Sequence, residues 1–471
     1  MKIKKTTIII KYLVIGICAV FLFWVVNIFS EGEKRQKLDN QIPIVFNKSS
    51  SQDISILLGR PTERSITLSI LPQINAELSI AYGTESEKYD KEKNNILAKA
   101  NIPIEIELDD LQGDIKYYYK IQYKEEDKEE WQSTQEHTFH TARSKGSSFT
   151  FTIEADPHLD EQSDPEIYRQ TLNNILFDHP DFLIDLGDTF MSDKLVVKSY
   201  ETIEERHIML RQYFGIVGAD IPLFLVLGNH EGESGWELKN GENNIAVWAT
   251  NIRKQYYPNP VPNGFYSGNS IEEEYVGLRE DYYAFEWGDV LNVILDPYWY
   301  TEAKPNKDGW EWTLGKEQYD WLKETLENSS AKYKFVFIHH LVGGGKDARG
   351  GIEFADLYEW GGNNLDGSYG FDTNRPGWGK PIHQLLVDNN INIVFKGHDH
   401  FYAKQELDGV VYQTLPQPSH PGEKVNTAEE YGYLSGKILG GSGYLHVEVL
   451  NNYVTIQFVK NDGSIIYSYS I

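Results

Sequence analysis

The chain has 471 residues, 40% of them apolar and 13% aromatic, and a formal net charge of −26. That length exceeds one small core and suits two domains. The acidic balance repels polyanions, so no nucleic-acid partner is expected. A small phosphorylated ligand stays open, because a bound cation reverses the charge locally.

Lys2, Lys4, Lys5 and Lys11 precede an apolar run from Tyr12 to Phe29, interrupted by Gly16 and Asn27. At roughly 1.5 Å per residue, a helix over this run nearly crosses a ~30 Å hydrocarbon layer. Basic residues ahead of the run put the N-terminus inside and the rest outside. Residues 1–30 are therefore expected to be a transmembrane signal anchor, and 31–50 a polar linker. The rest would be extracytoplasmic, at a cell surface or in a periplasm. Ser30-Glu31-Gly32 is a poor small-x-small pattern; cleavage there would make the protein secreted. The sole cysteine, Cys18, lies in the run, and Ile17 before it does not fit a lipoprotein signal. No disulfide is expected outside the membrane.

Residues 51–145 show a period of two. Ile66, Leu68 and Ile70 alternate with polar residues, as do Leu78, Ile80 and Tyr82, Ile104, Ile106 and Leu108, and Tyr117, Tyr119, Ile121 and Tyr123. Short alternating strands without a helical stretch predict a small all-β sandwich. It resembles a fibronectin type III domain or the N-terminal domain of purple acid phosphatases. Such a domain docks on its neighbour, binds a glycan or acts as a spacer. His137 and His140 near its end read as ordinary surface or interface residues.

From 146 onward, strand-length apolar runs alternate with helical segments, which predicts an α/β fold. Asp164-Pro165 starts a helix with Tyr168, Leu172, Ile175 and Leu176 on one face. A second helix is expected over about 315–328, burying Trp321, Leu322 and Leu326. Hairpins close the chain at 444–450, 454–459 and 465–470, with turns at Asn451-Asn452 and Asp462-Gly463.

Five apolar runs each lead into residues that bind metals. They lead to Asp156-Pro157-His158, Gly187-Asp188, Gly228-Asn229-His230-Glu231, His339-His340 and Gly397-His398-Asp399-His400. Ligands of open α/β sheets bind at the carboxyl ends of strands, so distant segments can converge there. Carboxylates, an amide oxygen and imidazoles suit manganese, iron or zinc. Glycine before Asp188, Asn229 and His398 permits tight turns.

In this order the blocks resemble the calcineurin-like metallophosphoesterase superfamily, over about residues 148–471. The resemblance implies a four-layer αββα sandwich and a dinuclear centre of two divalent metal ions. It puts Asp156, His158 and His400 on the first metal and Asn229, His339 and His398 on the second. Asp188 would bridge them, and His230 would be catalytic. Leu341 stands where the family has a proline, and counting back from it selects His339 over His340. Purple acid phosphatases carry a tyrosine where this chain has Met191, and they lack the histidine found here as His158. Their ferric colour is therefore not implied.

The implied reaction is hydrolysis of a phosphomonoester, such as a nucleotide or sugar phosphate, by a metal-activated water. His230 would serve the leaving group. A phosphodiesterase with the same site is the alternative, and an inactive surface-binding protein a more distant one. Glu231 or Asp399 is expected to orient histidines. The glycine-rich stretch from Val342 to Pro381 is expected to wall the pocket, with Lys346 and Arg349 as phosphate contacts and Trp360 as a stacking surface. Its Gly343-Gly344-Gly345-Lys346 is no phosphate loop, because Asp347 follows where Ser or Thr is needed. The segment from Gly232 to Gly277 would form the opposite wall. His179, His207, His383, His420 and His446 match no motif, although the loop carrying His420 could approach the site.

Overall fold

The computed structural model describes residues 53–302, 308–423, 425 and 427–471. The expected anchor and linker lie outside them. Among the described residues, no helix is long and apolar enough to cross a membrane.

The first part is all β: β1 (Ile54–Gly59), β2 (Ile66–Pro72), β3 (Ala76–Gly83), β4 (Lys91–Ala98), β5 (Ile104–Leu108), β6 (Lys116–Glu125), β7 (Gln132–Ser133) and β8 (His137–His140). One sheet has the order β1-β2-β5; the other runs β4-β3-β6-β7, with β8 also paired to β6. Leu68 and Ile70 from one sheet meet Leu78, Ile80, Tyr119 and Ile121 from the other in a shared core. This is the face-to-face packing of a β-sandwich. β4 carries no apolar alternation, since it is a largely exposed edge strand.

The second part adds β9 (Phe149–Glu154), β10 (Leu183–Asp185), β11 (Leu223–Leu225), β12 (Ser267–Gly268), β13 (Glu272–Glu273), β14 (Gly277–Leu278), β15 (Tyr283–Trp287), β16 (Val290–Ile294), β17 (Tyr333–Phe337), β18 (Ile393–Lys396), β19 (Tyr402–Leu407), β20 (Val410–Thr414), β21 (Lys437–Leu439), β22 (Gly443–Val449), β23 (Val454–Lys460) and β24 (Ile465–Ser470). A six-stranded sheet runs β11-β10-β9-β22-β23-β24, and an eight-stranded sheet runs β12-β15-β16-β17-β18-β20-β19-β21. Phe151, Ile184 and Phe224 of the first sheet meet Phe285, Phe335 and Phe395 of the second in the central core.

Alternate residues of the same strands face outward. Leu183 and Leu225 pack against helices α1 (Pro165–Asp178), α2 (Tyr200–Phe214) and α3 (Ile245–Tyr256). Val293, Val336 and Val394 pack against α4 (Lys316–Asn328) and α5 (Ile382–Asp388). The layers are therefore helix, sheet, sheet, helix. Asp164 caps α1 by accepting the Glu166 N–H at 2.9 Å. On α4, Tyr319 takes the buried place expected of Trp321, which is only half-buried.

The sandwich docks on this part directly. Fully buried Arg211 of α2 donates to the Ser69 carbonyl at 2.6 Å and the Ser69 hydroxyl at 3.0 Å, and also to the Tyr256 carbonyl. Tyr119 donates to the Ala219 carbonyl at 2.6 Å, and His137 Nδ1 lies 2.9 Å from Asp220. Residues 52–471 form one unit.

Candidate metal centre and active site

The five blocks follow the carboxyl ends of β9, β10, β11, β17 and β18. β9, β10 and β11 run parallel in one sheet, and β17 and β18 in the other. Asp156, His158 and His400 form one group, and Asp188, His339 and His398 another; within each, the potential ligand atoms lie within 4.8 Å of one another. Asp156 Oδ1 is 3.4 Å from His400 Nε2 and 3.7 Å from His158 Nε2. Asp188 Oδ2 is 3.2 Å from His339 Nε2 and 3.7 Å from His158 Nε2, so this carboxylate faces both groups.

Four of these side chains are held from behind. His339 Nδ1 lies 2.7 Å from the Leu186 carbonyl, and His398 Nε2 lies 2.8 Å from the Asp347 carbonyl. Asp156 Oδ2 accepts the His398 N–H at 2.9 Å, and Asp188 Oδ1 accepts the His230 N–H at 2.8 Å. The other ends are free. Asp156 Oδ1, His158 Nε2, Asn229 Oδ1, His339 Nε2 and His398 Nδ1 are buried without a hydrogen-bond partner. Buried polar atoms are nearly always paired. Unpaired lone pairs of oxygen and imidazole nitrogen in two adjoining groups fit divalent cations.

Strain and charge point the same way. Asp156, His158, Asp188, His398 and His400 have φ of 57°, 48°, 54°, 71° and 68°, a left-handed backbone that costs about 1–2 kcal/mol per residue. Burial disfavours ionised Asp156, yet the charges on His339 and His400 outweigh it and hold the carboxyl well below its ordinary range. Burial likewise opposes a charged His339, but Asp188 and Asp156 push it up to about 9. The carboxylates thus prepare a site for positive charge.

Glu231 and Asp399 do not orient histidines, contrary to expectation. Glu231 accepts the backbone N–H of Thr189 at 2.7 Å, Asp188 at 3.1 Å and Phe190 at 3.2 Å, and that of Gly228. It ties two strand ends together beneath the cage. The turns there are too close for side chains: a Cβ on Gly187 would strike the Gly228 backbone. Asp399 accepts from Lys396 Nζ and from the Tyr433 hydroxyl, each at 2.6 Å.

His230 stands next to the cage. Its Nε2 is 3.9 Å from Asp188 Oδ2, and its Nδ1 is 3.1 Å from Asp193 Oδ2. A cavity of about 400 Å³ opens beside it, reached by Asn229, His230 and His398. Trp236 and Ile245 of the 232–277 segment line it, and Tyr298, Trp312, His340 and Lys198 complete the wall.

Two substrate expectations are corrected. Trp360 is fully buried in the outer core, where its indole N–H donates to the Tyr412 hydroxyl at 2.9 Å. Lys346 is exposed and does not line the cavity. Arg349 does line it, but its guanidinium is engaged by the His398 carbonyl, lies 3.5 Å from Asp399 and stacks 4.5 Å over Tyr431.

Asp193, Lys198, Tyr298 and Trp312 were not anticipated. Tyr298 had a signal, since it follows the carboxyl end of β16 just as the ligand blocks follow theirs. The remaining histidines serve locally: His383 lies between the Tyr412 hydroxyl and Asp408, His446 on Asp178, and His207 flat on Phe190. The loop before His420 does reach the site from behind. Gln417 donates to the Asp156 carbonyl at 3.2 Å, and Ser419 to the Pro157 carbonyl at 2.6 Å.

Residues 149–402 match the family model described as calcineurin-like phosphoesterase. The chain belongs to that family. Among solved structures, this phosphoesterase is similar to one titled "Structure of PhoD", at 14% identity and a TM-score of 0.64, over 88% of this chain and 89% of that one. It is also similar to purple acid phosphatase PPD1 of yellow lupin (Lupinus luteus), at 14% identity and a TM-score of 0.58, over 88% of this chain and 73% of that one. These likenesses concern the fold. None of the curated proteins matches the phosphoesterase at the sequence level.

Proposed function

We propose that this phosphoesterase hydrolyses a small phosphomonoester, such as a nucleotide or sugar phosphate, at a dinuclear metal centre. Asp156, His158 and His400 would hold one cation and Asn229, His339 and His398 the other, with Asp188 between them. The observation that carries this reading is the two groups of buried ligand residues, with unpartnered ligand atoms, beside a cavity of about 400 Å³. That volume suits a small molecule. Manganese, iron or zinc held there supplies an acidified water and neutralises phosphate charge. His230, oriented by Asp193, gives a proton to the leaving oxygen. Trp236 and Trp312 give the leaving group an aromatic wall.

The test is hydrolysis of p-nitrophenyl phosphate and of bis(p-nitrophenyl) phosphate by the full chain with manganese. The monoester is expected to be the better substrate, and chelation or Asp188→Ala to abolish turnover. Activity that survives Asp188→Ala would sink the site; preference for the diester would sink the monoester assignment.

We also propose that the run from Tyr12 to Phe29 anchors the enzyme with its catalytic part outside the membrane. Protease treatment of intact cells should then remove activity; protection of the catalytic part would reverse this orientation.

A further inference from the structure

Tyr298 is a polar group of the cavity wall that the metal cage does not explain. It follows Asp296-Pro297 at the carboxyl end of β16, the strand beside β17. The residue is 3% exposed, and its hydroxyl is buried with no hydrogen-bond partner. It lines the same cavity as Asn229, His230 and His398. A buried tyrosine hydroxyl usually finds a partner.

The ring is fixed in place. It meets His340 edge-on at 5.2 Å and Trp312 at 6.0 Å, and its centroid is 6.4 Å from that of the cage residue His339. The Tyr298 backbone N–H is held by Asp296 Oδ1 at 2.8 Å. The ring is therefore part of a rigid aromatic wall of the cavity beside the cage.

His340 and Arg349 offer no free donor in its place. His340 Nδ1 faces the Leu341 carbonyl at 2.8 Å and so carries the ring hydrogen there. Its Nε2 is left as a lone pair, which repels a phosphate oxygen. The Arg349 guanidinium is engaged by the His398 carbonyl. Lys198 is exposed at the edge of the cavity.

Resting on the reading above, we propose that Tyr298 is a further catalytic residue, whose hydroxyl donates a hydrogen bond to a terminal oxygen of the substrate's phosphoryl group. No proton is transferred; the bond orients the group and strengthens as charge builds on that oxygen. A phenol suits the task because it is uncharged at neutral pH, so it does not compete with cations for the cage.

Tyr298→Phe removes the hydroxyl and keeps the ring. In the manganese-loaded full chain, kcat/KM for p-nitrophenyl phosphate should fall about a hundredfold, as when one preorganised donor is lost. The inhibition constant of orthophosphate should rise about tenfold, while metal content and Tm stay as in the parent. Parent-like turnover and phosphate inhibition in the variant would overturn the proposal. So would an activity loss matched by lost metal or a lower Tm, because Tyr298 would then be structural. Orthophosphate binding measured by calorimetry separates this proposal from the one it rests on. A parent without turnover fails the functional reading; weaker phosphate binding by the variant still supports Tyr298, and equal binding overturns it.

Discussion

Nδ1 of His230 lies 3.1 Å from Oδ2 of Asp193, while Nε2 of the same ring lies 3.9 Å from Oδ2 of Asp188. The imidazole is held by Asp193 outside the cage and, at Nε2, by the Asn229 side-chain amide at 2.9 Å. Asp193 thereby fixes which edge of the ring faces the reaction. His230→Ala should lower kcat about a hundredfold or more, as expected for loss of a general acid. Asp193→Ala should lower it about tenfold, and the double variant should match His230→Ala alone, since the carboxylate acts through the ring. Steady-state kinetics on p-nitrophenyl phosphate decides; additive losses would separate the two residues.

Lys198 and Arg349 both line the cavity but should respond differently. Lys198 is an exposed rim cation, so Lys198→Ala should raise KM about two- to fivefold and leave metal retention alone. Arg349 holds the carbonyl of His398. Arg349→Ala should therefore raise the manganese concentration needed for half-maximal activity. Metal titrations of both variants check this, and a pure KM effect in Arg349→Ala would return that residue to a substrate role.

Arg211→Ala tests the docking of the sandwich. The substitution withdraws buried donors from the Ser69 and Tyr256 carbonyls and leaves a void. A loss of about 3 kcal/mol is expected from unsatisfied buried groups and lost packing. Urea unfolding measures it; a change below about 1 kcal/mol would mean that this interface is held elsewhere.

His207 should make the fold acid-sensitive. Burial lowers its pKa to about 3, with a hydrogen bond to the Ile203 carbonyl opposing the shift. An unfolded histidine titrates near 6.5. Below that pH the unfolded chain takes up a proton that the folded one refuses. The stabilising contribution is therefore full above about pH 6.5 and falls as pH drops toward 3. Between pH 7 and pH 5 the parent should lose about 2 kcal/mol more than His207→Leu does. Urea midpoints at the two pH values give the difference, and parallel losses would rule out His207 as the cause.

The metal-ligand blocks were legible because such chemistry admits few residue types and each block trails an apolar strand. Helices α2 and α3 escaped notice because polar residues occupy their inward faces. His207 and Arg211 are buried in α2, and Arg253 in α3 is buried against Glu233 at 2.6 Å. Trp360 was misread because its burial depends on Tyr412, far along the chain. Lys346 and Arg349 looked equivalent, but Asp347 and Ala348 between them have φ of 57° and 60° and turn the chain. Asp193 and Lys198 lie in a stretch without periodicity, where only the folded chain shows what they face.

The strand leading into Asp156 has neighbours of very different age. β9 pairs on one side with β10 and on the other with β22, so that Ile153 faces Leu445. During synthesis from the N-terminus, one flank of β9 stays open until the segment around Leu445 has emerged. A nascent chain therefore presents an unpaired strand edge until that segment arrives, a hazard for aggregation. The site becomes competent to mature only once the segment around Leu445 is available to fold.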